Sequence, residues 1–273
     1  MNSTRRKLAI ATWGPPDEGN IFGKLTIDAT EAVAWIQHIR TTTGEKVSMT
    51  HLVGKAVALA LAKAPGLNGR IVWGRYEPFA TVDVTFLVAL EDGADLAKVK
   101  IERLDQRPVT EVARVLRDKA DKLRGGKDPE FEKSKGMLRA LPTWILRPLL
   151  RFTGWLTGSL GVSLPALGLE AFPFGSCIIT SVGMLGIEEA FAPHTPFARV
   201  PVLVLVGAVR DAPAVKDGLL VVQKQVTITA TVDHRFVDGS QLGTLAKTVR
   251  AVLEDPWTLD GSQRPPAQVV GAA

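Results

Sequence analysis

Residues 226–239 read V-T-I-T-A-T-V-D-H-R-F-V-D-G. Val226, Ile228, Ala230 and Val232 alternate with Thr227, Thr229 and Thr231, the two-residue period of a strand with one buried face. The alternation stops at Asp233-His234, and a helical pattern opens at Gly239-Ser240. A histidine is thus delivered at a strand end, with a carboxylate, Asp238, four residues on and a glycine behind it. An imidazole titrates near neutrality, so it takes a proton at one step and returns it at the next. Asp238 at a helix start meets the positive end of the helix dipole, where it can pin the loop through an ion pair. Gly239 permits a backbone geometry that a side chain would obstruct. The alternative for so short a motif is a surface turn carrying a solvated histidine.

Asp233-His234-Arg235-Phe236-Val237-Asp238-Gly239 resembles the D-H-R-x-x-D-G signature of dihydrolipoyl acyltransferases, the catalytic component of 2-oxo acid dehydrogenase complexes. That family is similar in fold to chloramphenicol acetyltransferase. The chloramphenicol enzyme and peptide-synthetase condensation domains usually carry a second histidine where this chain has Asp233, which favours the dehydrogenase branch. Upstream, Thr180-Ser181-Val182-Gly183-Met184-Leu185-Gly186 resembles the family's S-N-L-G-M-x-G element, and Pro65-Gly66-Leu67-Asn68 its P-x-L-N. Thr4-Arg5-Arg6-Lys7-Leu8-Ala9 resembles the basic segment that opens the catalytic domain.

The resemblance implies an α+β fold, a two-layer sandwich with a mixed sheet covered by helices. It implies that His234 is the general base of a thioester exchange between coenzyme A and dihydrolipoamide. Thr180 stands where the family has a hydroxyl facing the tetrahedral intermediate, with Ser181 and Gly183 as substrate-binding neighbours. Arg5 or Arg6 are the candidates for pairing with Asp238. The site is expected between subunits of a homotrimer, without a larger cage, because the tail lacks an apolar anchor. No metal and no covalently bound cofactor are expected: acyl-CoA is a substrate, and a lipoyl group would come in trans, on carrier domains or other dehydrogenase subunits, because no lipoyl or subunit-binding segment precedes the motifs. Two other functions stay open. One is a non-catalytic scaffold or assembly protein that keeps the fold. The other is a coenzyme A-dependent acyltransferase for a hydroxyl or amine acceptor.

The 273 residues suffice for one domain with a large core, and 46% hydrophobic residues exclude a disordered chain. The net charge is +5. Residues 98–135 hold 12 Lys/Arg against 8 Asp/Glu, a solvated helix face or a lure for an anionic ligand such as coenzyme A. Nucleic acid is not the expected partner, because the positive charge is mixed with negative and lacks interleaved aromatics. Cys177 is the only cysteine, so no internal disulfide forms. It is read as core, not as a nucleophile. No apolar signal segment follows the basic N-terminus, and a cytoplasmic location is expected.

Strands are expected at residues 21–27, 81–90, 176–182 and 200–206, the last apolar on both faces. Helices are expected after Asp28, which with Glu31 resembles a capping box, at 48–64, at 108–124, and from a cap at Ser240. His38, His51 and His194 read as ordinary surface, packed or loop residues. After the turn at Glu91-Asp92-Gly93 the family has a G-L-V-V-P-V-like strand beside the substrate channel; this chain has Ala94-Asp95-Leu96-Ala97-Lys98-Val99-Lys100 instead. Residues 137–174 exceed the family's length and are read as an apolar insertion: a packed piece, an oligomer contact, a lid, or a shallow membrane attachment in which Arg139, Arg147 and Arg151 share a helix sector beside Trp144. The run is too interrupted for a membrane span. Residues 261–273, rich in Pro, Gly and Ala, are expected to be loose.

Overall fold

The computed structural model describes residues 19–90, 95–125, 141–237 and 239–265. Its centre is a six-stranded sheet built from β1 (Asn20–Asp28), β4 (Val84–Leu90), β5 (Asp95–Ile101), β6 (Cys177–Ser181), β7 (Val202–Lys216) and β8 (Leu219–Asp233), in the order β1-β8-β7-β6-β4-β5. Pairing is parallel across β4, β6 and β7 and antiparallel elsewhere, so the sheet is mixed. A separate hairpin joins β2 (Gly69–Val72) to β3 (Arg75–Pro78). The helices are α1 (Thr30–Thr43), α2 (Met49–Lys63), α3 (Val109–Arg124), α4 (Thr143–Gly158) and α5 (Gly239–Glu254). Trp35 of α1, Leu52 and Leu61 of α2 and Leu253 of α5 are buried in one core with Ile27, Phe86, Ile179, Val204 and Ile228 of the sheet. Gly54 lets α2 settle on β4: a Cβ there would stand 2.4 Å from the Phe86 ring.

The alternation in β8 is real, but both of its faces are covered. Val226, Ile228 and Val232 lie in the core, and Thr227, Thr229 and Thr231 are buried as well. A buried hydroxyl needs a partner. The Thr229 hydroxyl donates to the Ala190 carbonyl and that of Thr231 to the Ala192 carbonyl at 2.7 Å. A covering loop thus replaces the water that a threonine face ordinarily meets. β7 and β8 run to 15 residues each, past the rest of the sheet, and meet in a turn at Asp217-Gly218. Their outer half leaves Val215, Leu219, Leu220 and Val222 exposed.

Local signals are met with corrections. Asp28 accepts the Thr30 N–H at 2.9 Å, but the cap residue of α1 is Ala29, and the Glu31 carboxylate accepts the Trp257 indole N–H instead of closing a capping box. At α2 the Nδ1 of His51 accepts the Ser48 N–H at 3.1 Å, so this histidine secures a helix start. Ser240 is the second residue of α5 and lies inside the helix instead of capping it. Residues 261–265 are tied down: the Trp35 indole donates to Ser262, and Arg264 pairs with Glu31 and Asp255.

The described part of the insertion forms α4, a turn of 3-10 helix at Pro165–Leu167, and a limb that returns to the sheet. Gly154 places α4 against the 197 backbone, where a Cβ would stand 2.4 Å from the Phe197 carbonyl oxygen. The limb docks on β5. Ala97, Val99 and Ile101 face the core, and Lys98 and Lys100 the other way. Lys98 lies 5.0 Å over the Phe174 ring. Lys100 pairs with the Glu170 carboxylate at 2.6 Å. Arg70 of β2 stacks on Phe172 at 4.6 Å and donates to the Ser159 carbonyl.

Candidate active site

β8 ends at Asp233, and the backbone N–H of each residue from Asp233 to Phe236 is hydrogen-bonded. The Asp233 N–H donates to the Pro201 carbonyl at 3.0 Å, and the His234 N–H to the Gly19 carbonyl at 2.9 Å. The buried Asp233 carboxylate accepts the Arg235 N–H and its guanidinium Nε, both at 3.0 Å. This ties a two-residue loop and explains what an aspartate does at this position. Phe236 and Val237 turn inward to the core. Phe236 meets Tyr76 edge-on, and the Tyr76 hydroxyl donates to the Pro65 carbonyl. His234 itself is exposed. An imidazole is therefore presented to solvent on a backbone that cannot wander.

Behind the turn lies a narrow polar cavity of about 60 Å³, lined by Ser159, His194, Arg199, Asp233, Arg235 and Phe236 among others. Arg199 donates to the Ser159 hydroxyl at 3.2 Å, so the end of α4 reaches the back of the motif. Burial pushes the His194 pKa down, while Asp233 opposes that shift. Read as a loop residue, His194 proves to be packed beside the signature. The sequence carries no periodicity there that would have shown it.

Thr180 and Ser181 lie on opposite faces of β6. Cys177 and Ile179 point into the core, and burial pushes the Cys177 thiol up. Ile178 belongs to a second cluster on the other face, with Phe174, Leu87 and Leu203. Thr180 shares that face and is partly exposed. The Ser181 hydroxyl is engaged locally, donating to the Val206 carbonyl at 3.3 Å and accepting the Gly183 N–H at 3.4 Å. Gly183 is needed for a close approach: a Cβ there would stand 2.8 Å from the Gly207 carbonyl oxygen. Gly239 differs from its expected role, because its Cβ position is open and its φ is not left-handed. Asp238, Arg5 and Arg6 lie outside the described residues.

His234 and Thr180 do not meet within one chain. Thr180 pairs with Leu205, which pairs with Thr229. Two strand spacings and five residues along β8 separate the two side chains, on the order of 20 Å. A second cavity, of about 400 Å³, opens by the β5 edge among Lys98, Lys100, Arg107 and Lys119, with Glu102 and Glu170 in the same lining. Its charges are largely answered, Lys100 by Glu170 and Arg107 by Glu111.

Comparisons with known proteins bear on this arrangement. The profile of the 2-oxoacid dehydrogenases acyltransferase (catalytic domain) matches residues 22–137 and 166–260, and the unmatched stretch lies within the insertion. Component 5 of the chloroplastic pyruvate dehydrogenase complex of Arabidopsis thaliana, a dihydrolipoyllysine-residue acetyltransferase, is 25% identical over 215 residues, 78% of this chain and 37% of that protein. The chain thus spans well under half of that relative. A probable dihydrolipoamide acetyltransferase from Listeria monocytogenes superposes with TM-score 0.68 at 18% identity, covering 98% of this chain and 96% of the other. A structure of Azotobacter vinelandii dihydrolipoamide acetyltransferase, solved to address a serine, a histidine and an asparagine in its catalytic mechanism, gives TM-score 0.65 at 20% identity over 93% and 86% of the two chains. The likeness extends to a chloramphenicol acetyltransferase, with TM-score 0.50, 13% identity and coverage of 92% and 96%, so the α+β fold is of that type. With the profile covering most of its length, the chain belongs to the 2-oxoacid dehydrogenases acyltransferase (catalytic domain) family.

Proposed function

We propose that the protein transfers acyl groups between thioesters of coenzyme A and dihydrolipoamide or a related thiol, with His234 as general base. The observation that carries this reading is the fixed backbone under an exposed imidazole at the end of β8. The Azotobacter protein supports the assignment by spacing: its asparagine stands four positions after its histidine, as Asp238 does after His234, and its serine 52 positions before, against 54 from Thr180 to His234. In the proposed step the His234 imidazole takes the thiol proton, the thiolate attacks the acyl carbonyl, and the Thr180 hydroxyl donates to the oxyanion. The collapsing intermediate expels the second thiol, which recovers the proton from His234. A thiol near pKa 8.5 and an imidazole near 6.5 leave the proton transfer about 2.7 kcal/mol uphill, which attack and oxyanion stabilisation must offset.

Because His234 and Thr180 are far apart within one chain, a site that uses both needs a second chain. We assign it to the junctions of a homotrimer, with Asp238 holding the loop. The exposed apolar residues of the β7–β8 arm supply a surface for such assembly. Lipoyl carrier domains or dehydrogenase subunits would act in trans. A single buried cysteine suits a reducing compartment, and we place the chain in the cytoplasm.

The test is acyl transfer from acetyl-CoA to free dihydrolipoamide. His234→Ala should lower turnover by about 10²–10⁴-fold with the assembly intact. Equal turnover in the variant eliminates this base, and no turnover in the parent protein favours the scaffold reading.

A further inference from the structure

The cavity beside β5 is walled by four parts of the chain. β5 contributes Lys98 and Lys100, the segment after it Arg107, α3 Lys119, and the returning limb Glu170. Val115 and Lys119, one helical turn apart, both line it, so α3 turns one face toward it. The volume is about 400 Å³, within the roughly 300–1,000 Å³ of small-molecule sites.

The cations around this cavity differ in what answers them. Lys100 has three N–H groups to give, and it meets the Glu170 carboxylate at 2.6 Å, the Phe172 carbonyl at 3.4 Å and Glu102 at 3.9 Å. Arg107 pairs with Glu111 and donates its Nε to the Glu102 carbonyl at 2.7 Å. Lys98 is placed by the Phe174 ring at 5.0 Å and the Pro173 carbonyl at 3.4 Å. Neither Lys98 nor Lys119 has a carboxylate within ion-pair distance among the described residues. The two come from different elements and act on one another. The groups packed around the Lys98 ammonium desolvate it and push its pKa down; Glu170 opposes this, and the charges of Lys100 and Lys119 add to it. Like charges gathered over a cavity repel, and an anion between them relieves the repulsion.

We propose that this cavity binds the phosphate group of a small molecule, held as a dianion between Lys98 and Lys119 with Arg107 as the third cation. A phosphate monoester carries close to two negative charges at neutral pH and three strong acceptor oxygens. Two unanswered ammonium groups match that charge, whereas a carboxylate would leave one of them over. The guanidinium fork adds donors suited to phosphate oxygens. Glu102 and Glu170 stay on Lys100, so the positive side of the lining remains at Lys98 and Lys119. Ile101, Val115 and Pro173 give the organic remainder an apolar wall. Coenzyme A and other organic phosphates offer the same group, and the measurements below separate them. Binding is read without turnover, so the proposal stands or falls apart from the role of His234.

The test uses the full chain and inorganic phosphate, followed by phosphorus NMR and by thermal melting. Saturable binding is expected, with a melting temperature above that in sodium chloride of equal ionic strength. Lys98→Gln with Lys119→Gln should weaken binding by at least about tenfold without lowering the melt in the absence of phosphate, since both side chains are exposed. Lys46→Gln with Lys63→Gln removes the same charge from exposed positions elsewhere and should leave binding as it was. Displacement of the phosphate by coenzyme A assigns the group to that molecule; phosphate retained in saturating coenzyme A assigns it to a separate ligand. Phosphate that acts no differently from chloride overturns the proposal. So does binding that survives the Lys98 and Lys119 pair of substitutions, or that falls equally with the Lys46 and Lys63 pair.

Discussion

Two inactive variants should restore one another if the site is shared. Within a chain, the row Thr180–Leu205–Thr229 and the five residues to His234 put the two groups on the order of 20 Å apart. That exceeds the reach of a threonine and a histidine side chain together. His234→Ala and Thr180→Val should each lose about 10²-fold or more in turnover. In a cyclic trimer each site takes its imidazole from one protomer and its hydroxyl from the next. Any trimer holding both variants, in either ratio, then has one junction where an intact His234 faces an intact Thr180. Heterotrimers isolated through two different tags should therefore recover about one third of the parent turnover, tens of times more than either variant alone. The assay is acetyl transfer to dihydrolipoamide on tandem-purified protein, with the tag ratio read from the intact mass. Heterotrimers that form and stay as inactive as their parents refute the shared site, and with it the pairing of these two residues.

Other consequences are accessible by simpler measurements. Burial, and then the Arg40 charge, push His51 down to about 4 from an ordinary 6.5. The unfolded chain therefore takes up this proton first, and the stability contributed above pH 6.5 is lost as pH falls toward 4, by about 3 kcal/mol in full; urea unfolding at pH 7 and pH 5 should show that slope, and His51→Gln should flatten it. Gly207→Ala should destabilise by at least about 2 kcal/mol in the same assay, because the new Cβ would stand 1.9 Å from the Glu188 carbonyl oxygen. Cys177 should resist a thiol reagent in the native protein and react on unfolding, at least about 10²-fold faster, since it is buried and its thiol is pushed up.

The strand, the turn and the helix around His234 were legible because each changes the period of the sequence, and periodicity is local. The burial of the threonine face was not. Its cover comes from the loop around Ala190 and Ala192, some forty positions away in sequence, and a threonine that bonds a carbonyl spells the same as one that bonds water. His51 looked ordinary because a capping role shows only when its Nδ1 meets the Ser48 N–H. His194 was missed for a related reason: it lines one cavity with Ser159, Asp233 and Arg235, which belong to other parts of the chain. Gly239 is the converse case. A glycine after a catalytic-looking turn suggests a steric need, yet its surroundings are open, whereas Gly183 and Gly207 are among the glycines that a side chain would crowd.

The lysines of β5 and the insertion, both read from the sequence as departures from the family pattern, are halves of one arrangement. A pair of lysines on the outer face of an edge strand needs no partner in water, and the Lys98 side chain stays exposed, yet the groups packed around it desolvate its ammonium and push its pKa down. What packs around the two lysines is the returning limb of the insertion, which brings the Phe174 ring, the Glu170 carboxylate and the carbonyls of Phe172 and Pro173 over the strand. An apolar strand would leave that limb without a cationic anchor, and without the limb Lys100 would lose its 2.6 Å pairing with Glu170 and keep only Glu102, at 3.9 Å. Each change therefore makes sense only in company with the other. The limb also roofs the sheet face on which Thr180 stands, since Phe174 packs with Ile178 and Leu203. The insertion thereby borders both proposed partners of the reaction, Thr180 through this roof and His234 through Ser159 and Arg199. Phe174 falls where the family profile resumes, whereas Ser159 lies in the unmatched stretch, so it is the His234 side of the proposed site that residues outside the profile border.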